Sequence, residues 1–169
     1  MRIALLGPIC SGKTTIAKYF ENNHNYVRLS FGGALKKYCI EIFNMGHKNR
    51  SLLQDFGKKT REVDPLVWVS HVEKDINKHH NHDIIVDDVR YPNEYSMLKK
   101  YGFTFIKLEI SRTLQIKRLK ETYPHRYREH LERLDHESEL YIHHLEGDKT
   151  FIITEELEDN IIDCIIKGN

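Results

Sequence analysis

Two hydrophobic rhythms alternate along the chain. Short apolar runs are separated by longer segments in which apolar positions recur every three or four residues. That is the pattern of strands alternating with helices, and it predicts an α/β organisation around a parallel sheet. The first run, residues 2–6, is apolar on both faces, as a strand covered from both sides must be. A glycine-bearing turn follows, then a helix over residues 13–22 with Ile16, Ala17 and Phe20 on one face. Residues 26–29 predict a short second strand. Helical patterns occupy 33–43, with Leu35, Cys39, Ile42 and Phe43 apolar, and 49–59. Pro65 suits the first turn of a helix reaching residue 77, with Val69, Val72 and Ile76 inward. Ile84-Ile85-Val86 is a third buried strand, ending in Asp87-Asp88. A helix over 93–101 and a strand over 103–110 come next. Residues 111–146 read as two charged helices joined near Tyr123-Pro124, then a loop. A strand at 150–154 precedes a last helix with Leu157, Ile161, Ile162, Ile165 and Ile166 on a face. The expectation is a three-layer α/β fold with a five-stranded parallel sheet between helices.

Composition narrows the class. The chain has 169 residues, 40% of them hydrophobic and 30% charged, with 9 Gly and 4 Pro. This excludes collagen-like, low-complexity and disordered chains, and it predicts one domain, 1–169, with a core that needs no disulfide or metal staple. Lys and Arg number 26 against 25 Asp and Glu, a net charge of +1. No bulk charge advertises nucleic acid or a membrane surface, so a bound anion must be met by locally placed groups. Cys10, Cys39 and Cys164 are odd in number and widely spaced, which fits a reducing compartment. The apolar start is too short for a signal peptide, and no stretch approaches the ~20 apolar residues of a spanning helix. A cytoplasmic protein is expected, monomeric or homodimeric. His79-His80-Asn81-His82 lies in a polar turn and reads as solvated rather than metal-binding.

Residues Gly7-Pro8-Ile9-Cys10-Ser11-Gly12-Lys13-Thr14 fit G-x-x-x-x-G-K-[ST], between an apolar strand and a helix. The glycines permit backbone conformations that a Cβ forbids, so that successive N–H groups face phosphate oxygens at a helix N-terminus. Gly7, Cys10, Ser11, Gly12, Lys13, Thr14 and Thr15 are therefore the candidate phosphate-binding residues. Lys13 would bridge the β- and γ-phosphates and Thr14 would ligate Mg²⁺. Cys10 reads as a tolerated small residue. At the end of the third strand, a carboxylate beside this turn would serve the metal, and alternation lets only one of the pair face it. Asp88 is the favoured choice and Asp87 the other.

No N-K-x-D tetrad, the base reader of GTPases, is present. Arg112, Arg118, Arg126, Arg128 and Arg133 crowd the segment between the fourth and fifth strands. Phosphoryl transfer needs cations around the γ-phosphate and exclusion of water, and a mobile arginine-bearing lid supplies both. The plainer alternative is a solvated helix pair, since Glu121, Glu129 and Glu132 alternate with the arginines.

The P-loop, Leu52-Leu53-Gln54 with Gly57 and Arg61, Trp68, and above all Asp88-Val89-Arg90-Tyr91-Pro92-Asn93-Glu94 resemble the phage-type deoxynucleoside monophosphate kinases, which have the P-loop nucleoside monophosphate kinase fold. The likeness continues weakly in Ser30-Phe31, Leu35-Lys36 and His136-Glu137-Ser138-Glu139. Lys58 stands where the family usually carries another residue. The resemblance implies ATP with Mg²⁺ as donor and a deoxynucleoside 5′-monophosphate as acceptor. It puts Lys13, Thr14 and Asp88 on ATP and metal, and Phe31, Lys36, Gln54, Arg61, Trp68, Arg90 and Glu94 on the acceptor side. Chemistry agrees with several of these types. Arg61 or Arg90 can grip a phosphate bidentately, Gln54 can read a base edge, and Phe31 or Trp68 can stack on a base. Trp68 and Phe31 suit a core equally well, and Glu94 can simply cap a helix or pair with Arg90. Lys13, Arg90, Arg126 and Arg128 are the expected catalytic cations, with an acceptor-binding region over 31–80 and a lid over 112–147. Other readings are a phosphomevalonate or dephospho-coenzyme A type of kinase, a kinase of hydroxymethylated pyrimidines in DNA, and a nucleotide-binding module without turnover.

Overall fold

Strand β1 (Arg2–Leu6) sends its side chains alternately into two cores. Ile3 and Leu5 pack on one side of the sheet with Ile16, Ala17 and Phe20 of α1 (Lys13–His24). Ala4 and Leu6 pack on the other side with Val69, Val72 and Ile76 of α4 (Val67–Lys78) and Met97 and Leu98 of α5 (Pro92–Lys100). All four β1 side chains are fully buried, and each such burial stabilises by roughly 1.5–3 kcal/mol for a Leu- or Ile-sized chain. The apolar run on both faces is thus explained by helices on both faces.

The computed structural model describes residues 1–47, 49–132, 134, 137–154, 162, 164 and 165. Among these, β1 joins β2 (Val27–Leu29), β3 (Ile84–Val86), β4 (Thr104–Ile110) and β5 (Lys149–Ile153) in one sheet of order β2-β3-β1-β4-β5. Every pairing is parallel, with Ala4 opposite Val86 on one side and Phe105 on the other. The chain leaves β1 toward one edge and later crosses to β4 on the other side. Such a reversal opens a crevice at the carboxyl ends of the strands, where ligands bind in open α/β sheets. Gly7, Ser30 and Asp87 all stand at such ends.

Helices α2 (Phe31–Phe43) and α3 (Arg50–Val63) complete the layer around α4. Ser30 caps α2 by accepting from the Gly33 N–H, which starts the helix two residues earlier than the apolar rhythm indicates. Ile42 and Phe43, apolar members of the α2 pattern, are exposed, and Phe43 meets the Phe56 ring of α3 edge-on at 5.3 Å. The fourth helix starts at Val67 rather than Pro65. Asp64 holds a turn there, accepting from the Leu66 and Val67 N–H groups. The charged segment contains three helices among the described residues rather than two: α6 (Arg112–Thr122), α7 (Tyr127–Leu131) and α8 (Glu137–His144). The Tyr123 and buried His130 rings stack at 4.1 Å and fold α7 back on α6. Of the predicted last helix, Ile162 and Ile165 are described and lie buried beside β1 and α1. Leu157, Ile161 and Ile166 lie outside the described residues, as does Arg133.

Candidate active site at the P-loop

The turn after β1 wraps around the Lys13 ammonium. Nζ donates to the Gly7 and Pro8 carbonyls, both at 2.6 Å, and to Ser11 Oγ at 3.4 Å. Two positions require glycine. Gly7 has φ +146°, and a Cβ there would stand 2.6 Å from the Leu108 carbonyl. Gly12, at φ 96°, opens α1. Cys10 also takes a left-handed conformation, φ 64°. Burial, with Arg90 nearby, lowers the Lys13 pKa to about 8. Burial raises that of the Cys10 thiol. Thr14 and Thr15 open the exposed side of α1.

The two acidic residues after β3 turn to opposite sides, as alternation demands. Asp87, not Asp88, meets the P-loop: Thr14 Oγ1 donates to Asp87 Oδ2 at 3.2 Å. Asp88 faces α2 instead. It accepts from Ser30 Oγ (3.0 Å), the Phe31 N–H (2.9 Å) and the Gly32 N–H (2.6 Å), so its charge sits on a helix N-terminus. The preference for Asp88 beside the P-loop is therefore corrected. Burial and Asp87 raise the Asp88 pKa, opposed by those three hydrogen bonds. A hydroxyl and a carboxylate in contact are a donor set suited to Mg²⁺, which takes few protein oxygens and completes its shell with phosphate and water. Arg28 bonds the same carboxylate at 2.7 Å and lies 4.0 Å from Glu21. Sequence reasoning missed Arg28, although a charge inside a short, half-buried edge strand was the available signal.

Beyond Asp88 the chain builds a second cationic corner. Glu94, buried in the first turn of α5, accepts from the Arg90 (2.8 Å) and Tyr91 (3.1 Å) N–H groups and pairs with Arg61 at 3.6 Å. Arg61 also lies 4.6 Å above the Tyr91 ring. Burial and the Asp88 charge push the Glu94 pKa up to about 7 against those three favourable contacts. Glu94 thus ties the Arg61 guanidinium to the Arg90 backbone, while the Arg90 guanidinium pairs with Glu139 and its charge acts on Lys13.

The remaining acceptor-side candidates are dispersed. Phe31 and Trp68 are 3% exposed and belong to the core between α2, α4 and the sheet, so neither offers an open ring face for a base. Trp68 packs against Tyr38 and Phe56, and its buried indole N–H has no hydrogen-bond partner among the described residues. Lys36 and Gln54 lie on exposed faces of α2 and α3.

Segment 112–147 meets the P-loop through Arg118, one of its five expected arginines, and through Gln115 and Glu139, but not through Arg126 or Arg128. Arg126 is bound to Glu129 at 2.9 Å, and Arg128 to the Tyr127 hydroxyl at 3.3 Å, both on the outer surface. From α6, buried Gln115 donates to the Ile9 carbonyl (3.0 Å) and Arg118 to the carbonyls of Cys10 (3.3 Å) and Thr154 (3.0 Å). From α8, buried Glu139 accepts from the Ile9 N–H at 3.2 Å and forms an ion pair with Arg90. Gln115 carries no local sequence signal in so charged a segment, and Glu139 carries only the weak family likeness of residues 136–139.

A phosphate-binding turn at a sheet's switch point, with a carboxylate beside its threonine, defines a P-loop protein of the kinase-like type. The chain belongs to an AAA domain family, whose model matches residues 3–141. A protein of Acanthamoeba polyphaga mimivirus, provisionally named a deoxynucleotide monophosphate kinase, is 26% identical over 140 residues, covering 63% of this chain and 72% of the relative. TT1252 from Thermus thermophilus superposes with a TM-score of 0.64 at 16% identity, over 99% of this chain and 95% of that one. Shikimate kinase from Acinetobacter baumannii, in complex with shikimate, gives 0.56 at 16% identity, over 99% and 91%. The two solved structures share the fold. Among the described residues no helix is long and apolar enough to cross a membrane.

Proposed function

We propose that the chain transfers the γ-phosphoryl of ATP to the 5′-phosphate of a deoxynucleoside monophosphate. The observation that carries this reading is the second cationic corner. The Arg61 guanidinium pairs with Glu94, whose carboxylate also holds the Arg90 backbone N–H, and the Arg90 guanidinium reaches Glu139 beside the P-loop, so the two guanidinium groups flank the place where a second phosphate would meet the first. A planar guanidinium suits an acceptor phosphate better than an ammonium. The mimivirus relative, with its provisional name, supports the same reaction.

In this reading Lys13 leaves the Gly7 and Pro8 carbonyls for the β- and γ-phosphates. The loop N–H groups and the α1 N-terminus stabilise their charge. Thr14 and Asp87 would hold Mg²⁺, which when bound neutralises charge on the nucleotide phosphates. Arg90 faces the transferred group and orients the acceptor, while Glu94 fixes the Arg90 backbone and Arg61. Arg126 and Arg128 act only if segment 112–147 closes and turns them inward. Segment 31–80 forms the acceptor side within one domain, 1–169.

A coupled assay for ADP release over common and modified deoxynucleoside monophosphates tests this reading. Shikimate belongs in the panel because its kinase shares the fold. At least one deoxynucleotide is expected to stimulate ADP release. No release with any of them overturns the proposal, and release with shikimate alone moves the assignment to a small-molecule kinase.

A further inference from the structure

We propose that Glu139 is the resident anion of the phosphate site. It holds Arg90 and the P-loop while no nucleotide is bound, and it yields both to phosphate oxygens of the incoming nucleotide, freeing the first turn of α8. The inference rests on the reading above only in requiring that a phosphorylated ligand bind the P-loop.

Three observations carry it. One carboxylate, 8% exposed, bridges the Ile9 N–H and the Arg90 guanidinium, groups that reach it from different strand ends. Both are groups that a phosphate would use: Ile9 lies inside the loop whose N–H groups face phosphate, and Arg90 borders the acceptor corner. The third observation is that the Glu139 charge also acts on Lys13, raising its proton affinity against the loss from burial. The carboxylate therefore stands among the same cations that nucleotide phosphates need.

It cannot share that place. The Ile9 N–H has a single hydrogen, already directed at Glu139 Oε2. A phosphate oxygen at the same hydrogen would lie against a second anion in a poorly hydrated pocket, where like charges repel strongly. One anion must leave, and that move falls to Glu139, in the first turn of α8. Ile142 and Leu145 anchor the C-terminal half of α8 and its exit in buried apolar surroundings. Movement is thereby confined to the first turn of α8, where Glu139 meets the P-loop. Nucleotide binding and release of the first turn of α8 become one event, because they compete for the same hydrogen-bond donors.

The experiment uses the full chain without any acceptor. Inorganic tripolyphosphate and ATP are titrated calorimetrically into the wild type and Glu139→Gln, and hydrogen exchange of residues 137–144 is followed with and without ATP. Gln keeps the shape and can still accept from Ile9 but has lost the competing charge. The expected result is binding about tenfold tighter or more in Glu139→Gln. Exchange in wild-type α8 should speed up on addition of ATP. Equal or weaker binding by a folded Glu139→Gln, or slower wild-type α8 exchange with ATP, overturns the proposal. A carboxylate that merely positions Arg90 throughout the reaction gives that second outcome. The exchange arm needs no variant, so it decides the matter even if Glu139→Gln does not fold. Tight ATP binding without deoxynucleotide turnover would remove the kinase reading and leave this one standing.

Discussion

Thr14 Oγ1 donates to Asp87 Oδ2 at 3.2 Å, joining the first turn of α1 to the end of β3 across 73 positions of sequence. Asp88, one residue on, is turned to the N-terminus of α2. Adjacent carboxylates thus face different partners, one the P-loop threonine and one the N-terminus of α2. Asp87→Asn is expected to weaken Mg·ATP binding about tenfold or more, while ATP measured in EDTA binds nearly as before. Asp88→Asn should retain the metal effect and lose about 1 kcal/mol of stability through the helix cap. Calorimetric titration with and without metal, beside urea unfolding, separates the two, and a reversed pattern would return the metal role to Asp88.

Lys13 is a buried ammonium whose pKa in the folded chain is about 8, below the ordinary 10.5. Between those values the unfolded chain binds more protons than the folded one, so stability rises with pH across that window. Below pH 8 the full cost of burying the charge is present. Lys13→Ala should abolish turnover yet flatten this rise, and at pH 7 it should be at least as stable as the wild type. ATP, by restoring an anionic partner, should drive proton uptake near pH 8. Calorimetry in buffers of different ionisation enthalpy reads that uptake directly, and its absence in the wild type would contradict the placement of Lys13.

The layers of the fold were legible because period-two and period-3.6 patterns report burial, and β1 and β3 are buried on both faces. The P-loop was legible because its chemistry is local. Asp87 and Asp88 were not separable from sequence, since both end the same strand and only the position of α2 decides which faces which partner. Trp68 and Phe31 illustrate the opposite limit: an aromatic ring suits a base platform and a core equally, and burial alone distinguishes them. Glu139 meets Arg90 across 49 positions, and no local pattern encodes such a pair.

Glu94 holds its proton unusually well, with a pKa of about 7 against an ordinary 4.5. The folded chain then binds more protons than the unfolded one between these values, so this group's contribution to stability is full below pH 4.5 and lost as pH rises through 7. Glu94→Gln retains a carbonyl for the Arg90 and Tyr91 N–H groups and removes the titration. The variant should lose the decline seen in the wild type over pH 4.5 to 7, measured by urea midpoints. A parallel decline in both proteins would show that another group is responsible.

Arg90→Ala and Arg61→Ala test the acceptor corner separately. Each removes a guanidinium available to a phosphate, and hydrogen bonds to charged groups are worth roughly 1.5–3 kcal/mol. The acceptor KM is therefore expected to rise about tenfold or more in each. Arg90→Ala should also lower kcat, because Arg90 borders both the P-loop and the acceptor corner. Arg61 pairs with Glu94, lies over the Tyr91 ring and donates to the Gly57 carbonyl, none of them in the P-loop, so its loss should spare kcat. An unchanged acceptor KM in Arg90→Ala would exclude its assigned role.

Arg126 and Arg128 lie on the outer surface, one paired with Glu129 and one with the Tyr127 hydroxyl. Exposed pairs of this kind contribute little to stability, so alanine at either position should leave Tm unchanged. If lid closure carries one of them to the transferred phosphoryl, that variant loses kcat by about a hundredfold or more while the KM for ATP and acceptor stays put. Arg118 serves as the contrast, because it already holds the Cys10 and Thr154 carbonyls. Arg118→Ala should loosen the P-loop backbone and raise the KM for ATP as well as lower kcat. A solvated helix pair with no closing role predicts full activity for both Arg126→Ala and Arg128→Ala. Steady-state kinetics of the three variants therefore decide whether the arginines outside the P-loop act by moving or by standing still.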